Sequence, residues 1–114
     1  MKLRKLPSIR EKKRYIVFRL HSNEPVAYQD AKNAIMNSIN NWLGDNDMAR
    51  ARVWVIKNLW NQKEQSGFVR CSHRFVDELK VALGLVHQIG DQRVIIQSMH
   101  VAATIKSGKS KKNK

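Results

Sequence analysis

Along these 114 residues the spacing of apolar positions switches between two and about 3.6 in a set order, and few folds accommodate that order. Residues 14–22 alternate, with Ile16, Phe18 and Leu20 on one side and Tyr15, Val17, Arg19 and His21 on the other, which predicts a strand. Ser22 or Asn23 can cap a helix after it, and Pro25 suits a first helical turn. Ala27, Ala31, Ala34, Ile35, Ile39, Trp42 and Leu43 then fall at helical spacing, up to Gly44 in a Gly-Asp-Asn-Asp turn. Residues 51–60 alternate again, Val53, Val55 and Leu59 against Trp54, Ile56 and Trp60, and predict a second strand. A polar connection leads to a short third strand at 67–71. Ser72 reads as the N-cap of a second helix whose stripe is Phe75/Val76, Leu79, Ala82/Leu83, Val86 and Ile89, stopped by Gly90. Residues 92–105 close the pattern as a fourth strand.

The order β-α-β-β-α-β, with a hairpin between the middle strands, predicts an α+β, ferredoxin-like fold. Its four-stranded antiparallel sheet has the first and third strands at the centre and both helices on one face. The other face is expected to be open. Residues 14–105 form this domain, residues 1–13 a basic arm and residues 106–114 a mobile lysine-rich tail. Such folds host enzymes, RNA readers and scaffolds alike, so function must come from the residues they carry.

Charge is the strongest of those signals. The chain has 22 Lys plus Arg against 9 Asp plus Glu, a net +13. Residues 1–14 hold +6 of it, residues 105–114 hold +5, and the ninety between them only +2. Two basic ends on a nearly neutral body fit a polyanion whose counterions are released on binding, and nucleic acid is the expected partner. Neither end carries the aromatic or leucine face of a membrane-surface helix, and no apolar run approaches the length of a membrane span. The apolar stretch of a secretory signal is missing behind Met1, and a lone cysteine, Cys71, fits a reducing compartment, so a cytoplasmic protein is expected.

The residues that carry chemistry give little to an enzyme. The third strand, Glu64-Gln65-Ser66-Gly67-Phe68-Val69-Arg70-Cys71, keeps the Gly-Phe-Val core of an RNA-recognition motif. Ser66 and Cys71 stand at two aromatic positions and Glu64 at the basic one, so base stacking would be weak. His21, His73, His87 and His100 show no metal-ligand spacing, and one cysteine builds no zinc site. Asp45 and Asp47 read as turn residues rather than magnesium ligands, and Asp77 and Glu78 are neighbours that point apart on a helix. No catalytic residue, metal site or bound cofactor is expected. Trp54 and Trp60 share a parity on an edge strand, where one or both can be core or surface; with Tyr15 and Phe68 they are the expected protein-interface residues.

Residues 67–106, GFVRCSHRFVDELKVALGLVHQIGDQRVIIQSMHVAATIK, resemble the archaeal and eukaryotic Pop-five family of ribonuclease P subunits, also called protein component 2. The opening is similar to the same family, with a basic arm followed by Lys12-Lys13-Arg14-Tyr15-Ile16-Val17-Phe18, as are Arg70, His73, Val76-Asp77-Glu78 and Ala82-Leu83. The closing strand departs at His100, Ala102 and Ala103, where the family has Gly, Ser and Gly. The resemblance implies the β-α-β-β-α-β fold and a non-catalytic subunit of the endonuclease that removes the 5′ leader from precursor tRNA. It also implies that the RNA subunit and its magnesium ions do the chemistry. The implied partners are the ribonuclease P RNA, precursor tRNA within the complex, other ribonuclease P proteins and protein component 3, a TIM-barrel subunit, in a heterotetramer of two pairs. The expected RNA contacts are Arg4, Lys5, Arg10, Lys12, Lys13, Arg14, Arg70, His73, Arg74, Lys106, Lys109, Lys111 and Lys112. A free-standing RNA-binding module and, more remotely, a small nuclease built on His73 or Asp77 are the alternatives.

Overall fold

The computed structural model describes residues 12–112, with side chains as far as Lys109. The first strand, β1 (Lys13–Ser22), has the alternation its sequence predicts: Ile16, Phe18 and Leu20 are buried in the core, while Arg19 and His21 are exposed on the opposite side. Helix α1 (Tyr28–Leu43) buries Ala31, Ile35 and Ile39, one residue per turn on a single face. It ends where Gly44 takes φ +85° and donates its N–H to the Asn40 carbonyl at 2.8 Å.

Gly44 also starts the next element. The segment read as a Gly-Asp-Asn-Asp turn is a second helix, α2 (Asp45–Ala51), with Asp45 and Asp47 in its first turn. Acidic residues there favour the helix N-terminus, so the residues that end one helix begin another. The expected ten-residue second strand is correspondingly short. Arg52 leaves α2 in the left-handed conformation (φ +52°), β2 (Trp54–Val55) follows, and a 3-10 turn occupies Lys57–Leu59. Pairing resumes only at an isolated bridge between Asn61 and Ser66.

The third strand, β3 (Ser66–Ser72), lies along β1, with Ile16 opposite Val69 and Lys13 opposite Ser72. Ser72 accepts from the Arg74 amide as expected of a cap, but the element it starts is a 3-10 turn, His73–Phe75, leading into α3 (Val76–Leu85). Gly90 is not its stop. The chain forms a hairpin, β4 (Gln88–Ile89) against β5 (Gln92–Ala102), with Gly90 at φ +63° in the turn. Val86 and Ile89 satisfy a helical stripe and a hairpin equally well, which is why the pattern misled. The sheet order is β2-β3-β1-β5-β4, antiparallel throughout, so the first and third strands stand together as expected, with a small fifth strand added at one edge.

The outer sheet face is not open. Residues expected in a mobile tail form a helix, α4 (Ile105–Lys112), started by Thr104, whose hydroxyl accepts from the Ser107 amide at 3.0 Å. It lies across the face opposite α1 and α3. A Cβ at Gly108 would come within 2.6 Å of the Phe68 ring and 3.3 Å of Val17, so only glycine permits this approach. Val17, Phe68 and Ala102 are buried as a result. Met99, extra in β5 at the register shift opposite Val17 and Phe18, is exposed.

Candidate nucleic-acid interface

Antiparallel pairing gathers cations that are distant in sequence. The start of β1, the end of β3 and the end of β5 share one end of the sheet: Lys13 faces Ser72, and Tyr15 lies between Arg70 and Ala102. The His73 amide donates to the Lys12 carbonyl at 2.9 Å, which fixes Lys12 beside the β3 exit. Lys106 opens α4 nearby and is exposed, as is Lys109. The five strands and α4 contain no acidic residue at all. Every Asp and Glu in residues 12–112 lies on α1, α2, α3 or a connection, among them Asp30, Asp77 and Glu78 on the helix side. Glu64, which accepts from the Ser66 hydroxyl at 3.4 Å, reaches the sheet side at the opposite end of β3, so the end that holds Lys13 and Arg70 is positive and the helix side mixed, a segregation suited to a polyanion.

Of the expected contacts, Lys12, Lys13, Arg70, His73 and Arg74 come together here. Arg14 belongs to the neighbouring register position on the helix side, opposite Cys71, and donates to the Lys13 carbonyl at 2.9 Å. Lys111 and Lys112 extend α4. Arg4, Lys5 and Arg10 lie outside the described residues. The sequence reading missed Arg52, because a strand was expected where α2 ends; its exposed side chain joins Lys13 and Arg70 around a small recess.

The four expected interface residues divide. Trp54 is 45% exposed on the edge strand, with the Lys32 ammonium 4.7 Å from its ring centroid. Tyr15 is partly exposed. Trp60 packs against the core, its ring 6.2 Å from Phe18 and 6.3 Å from Tyr28, with its indole N–H donating to Gln62. Phe68 is covered by α4 and offers no surface, because the helix absent from the sequence reading lies on top of it. Other exposed apolar groups, Trp42, Val81 and Leu85, lie on α1 and α3 instead, where Trp42 donates to the Glu78 carboxylate at 2.8 Å. Among the described residues, no three His, Cys, Asp or Glu side chains cluster at metal-binding distance, and no helix is long and apolar enough to cross a membrane.

Cys71 is buried in β3, and burial pushes its thiol up to about 12 from an ordinary value of 9.0. Above pH 9 the unfolded chain loses this proton while the folded chain keeps it. The unfolded state then binds fewer protons, and stability falls as pH rises through that window. A Cys71→Ala variant is expected to lose that portion of the alkaline slope, measured as urea midpoints over a pH series against the parent protein.

An α+β protein whose strands carry cations and no acidic residue has the charge arrangement of a subunit in an RNA–protein complex. The model of the Rpp14/Pop5 family matches residues 14–112, and the chain belongs to that family of ribonuclease P protein subunits. It is 37% identical over 105 residues to ribonuclease P protein component 2 of Thermococcus gammatolerans, covering 92% of this chain and 86% of that one. The protein of the same name in Pyrococcus abyssi is 36% identical, with 97% and 93% covered, and that of Methanosarcina mazei 31% identical, with 95% and 90% covered. Among solved structures, a chain in the cryo-EM structure of yeast ribonuclease MRP superposes with a TM-score of 0.62 over 90% of this chain and 92% of that one. At 7% identity that likeness is one of fold.

Proposed function

We propose that this ribonuclease P subunit positions and stabilises the catalytic RNA for removal of the 5′ leader from precursor tRNA, and takes no part in the bond cleavage. The observation that carries the reading is the β1–β3 register, which sets Lys12 and Lys13 beside Arg70 and His73 at one end of a sheet whose strands contain no acidic residue. Phosphate contacts of this kind orient a protein on RNA without sequence readout. Because the protein binds the folded RNA and not the unfolded one, it shifts the RNA toward its active form and lowers the magnesium that folding requires. The magnesium belongs to the RNA.

Precursor tRNA and the other ribonuclease P proteins are further partners within the particle. Protein component 3 is the direct protein partner, in a heterotetramer of two pairs, and half-exposed Trp54 is a suitable anchor for it. The compartment is that of tRNA maturation, the cytoplasm. Mixing this chain with component 3 is expected to give a single species with the mass of two pairs, measured by light scattering after size exclusion. Two separate monomer peaks would remove component 3 from the account while leaving the RNA contacts standing.

A further inference from the structure

We infer that Lys13, Arg52 and Arg70 form a clamp for one phosphodiester of RNA; this rests on the RNA-binding reading above and assigns it a particular contact. The three residues come from β1, the exit of α2 and β3, and line a recess of about 120 Å³ whose remaining walls are Cys71 and Ser72, both buried. That is the room of a few water molecules, a scale that suits one tetrahedral oxyanion. None of the three cationic side chains is in an ion pair with a described carboxylate; the ion pair nearby, Arg50 with Asp47 at 3.4 Å, is confined to α2. Three like charges held around one recess repel each other until an anion enters.

Arg52 gives the second, independent observation. Its backbone sits at φ +52°, a region that non-glycine residues seldom enter, and that conformation turns the chain out of α2 at the recess. A guanidinium offers a planar fork matched to two phosphate oxygens, and both Arg52 and Arg70 supply one. A nucleic-acid backbone fits better than an acidic peptide or a free anion because further cations stand at the same end of the sheet, with Lys12 before Lys13 and Lys106 at the start of α4.

The test is the salt dependence of binding to ribonuclease P RNA, measured for the full chain with component 3 present. The parent protein is expected to show a steep slope of log affinity against log salt, to which each phosphate neutralised contributes about 0.7–0.9. If three cations share one phosphate, the Lys13→Gln, Arg52→Gln, Arg70→Gln triple variant loses about one such unit in total. A loss of about three units would mean three separate contacts and overturns the clamp. Arg52→Gly removes the side chain while relaxing the backbone, so it is expected to raise Tm yet weaken RNA binding several-fold; unchanged binding overturns the proposal even if the triple variant fails to fold. Arg52→Lys is expected to keep the slope and lose part of the affinity. Inorganic phosphate and polyglutamate serve as competitors, and displacement of RNA by either at equal charge concentration overturns the assignment to an RNA backbone. Failure of the clamp alone shows as weaker binding by a Lys106→Gln, Lys109→Gln variant with none in the triple variant. Failure of the RNA reading shows as no salt-dependent binding by the parent protein.

Discussion

Truncating Phe18 to alanine is expected to destabilise the protein by about 3–5 kcal/mol, because its ring is fully buried on the central strand and its neighbours cannot close the gap. Gly67 stands opposite Phe18 in β3, and a Cβ there would come within 3.0 Å of both the Phe18 and Trp60 rings. The ring therefore fills space that a glycine leaves for it. β1 is hydrogen-bonded on both edges, to β3 and to β5, so the backbone is held in place when the side chain goes. Total stabilities of single domains are about 5–15 kcal/mol, so this one change removes a large part. Thermal unfolding should show Tm lower by roughly 15–30 °C. A loss under about 1 kcal/mol would mean that this part of the core repacks freely and that the glycine-lined seat of the ring is not rigid.

The second large effect concerns binding and leaves the fold intact. Reversing Lys12, Lys13, Lys106 and Lys109 to glutamate alters four exposed side chains on the sheet side and touches nothing in the core. With three separate phosphate contacts gone, the Lys13 share of a fourth lost and four repulsions added, affinity for ribonuclease P RNA is expected to fall at least roughly a hundredfold at physiological salt. The salt slope should drop by about three units. Circular dichroism and Tm serve as controls for folding. Reversals on the helix side, at Lys32 and Lys80 for instance, should matter far less, because Asp30, Asp77 and Glu78 already stand on those helices. Equal losses from both sides would show that net charge acts without regard to place.

Much of the fold was legible because the strongest signals were periodic and long. β1 and α1 each carry one unbroken stripe, Ile16-Phe18-Leu20 and Ala31-Ile35-Ile39, and burial on one face is enough to specify both. The reading failed where one pattern serves two conformations. Asp45 and Asp47 suit a turn and a helix start alike, so α2 was hidden and the second strand overextended through Arg52. Val86 and Ile89 suit a helix and a hairpin, although Ile89-Gly90-Asp91-Gln92 has the two-residue turn composition that could have decided it. The tail was misread for a different reason. Nothing in Ile105–Lys112 is strongly amphipathic, and α4 depends on a tertiary fact, the close seat of Gly108 on Phe68 and Val17.

The candidate site followed the same division. The basic character of both ends was plain from composition, and the meeting of Lys12 and Lys13 with Arg70 and His73 follows from the expected pairing of the first and third strands. Arg52 was out of reach, because its place depends on a left-handed residue at the end of a helix that local pattern did not reveal. Phe68 was misplaced for the converse reason: a strand residue facing outward reads as surface unless the element that covers it is known.

Precursor-tRNA cleavage at low magnesium, with ribonuclease P RNA and component 3 and with or without this protein, tests the central claim most directly. The account predicts cleavage that requires the RNA, rises sharply when the protein is added, and loses that rise in the four-lysine reversal. Cleavage unchanged by the protein, or cleavage by the protein without RNA, would contradict it.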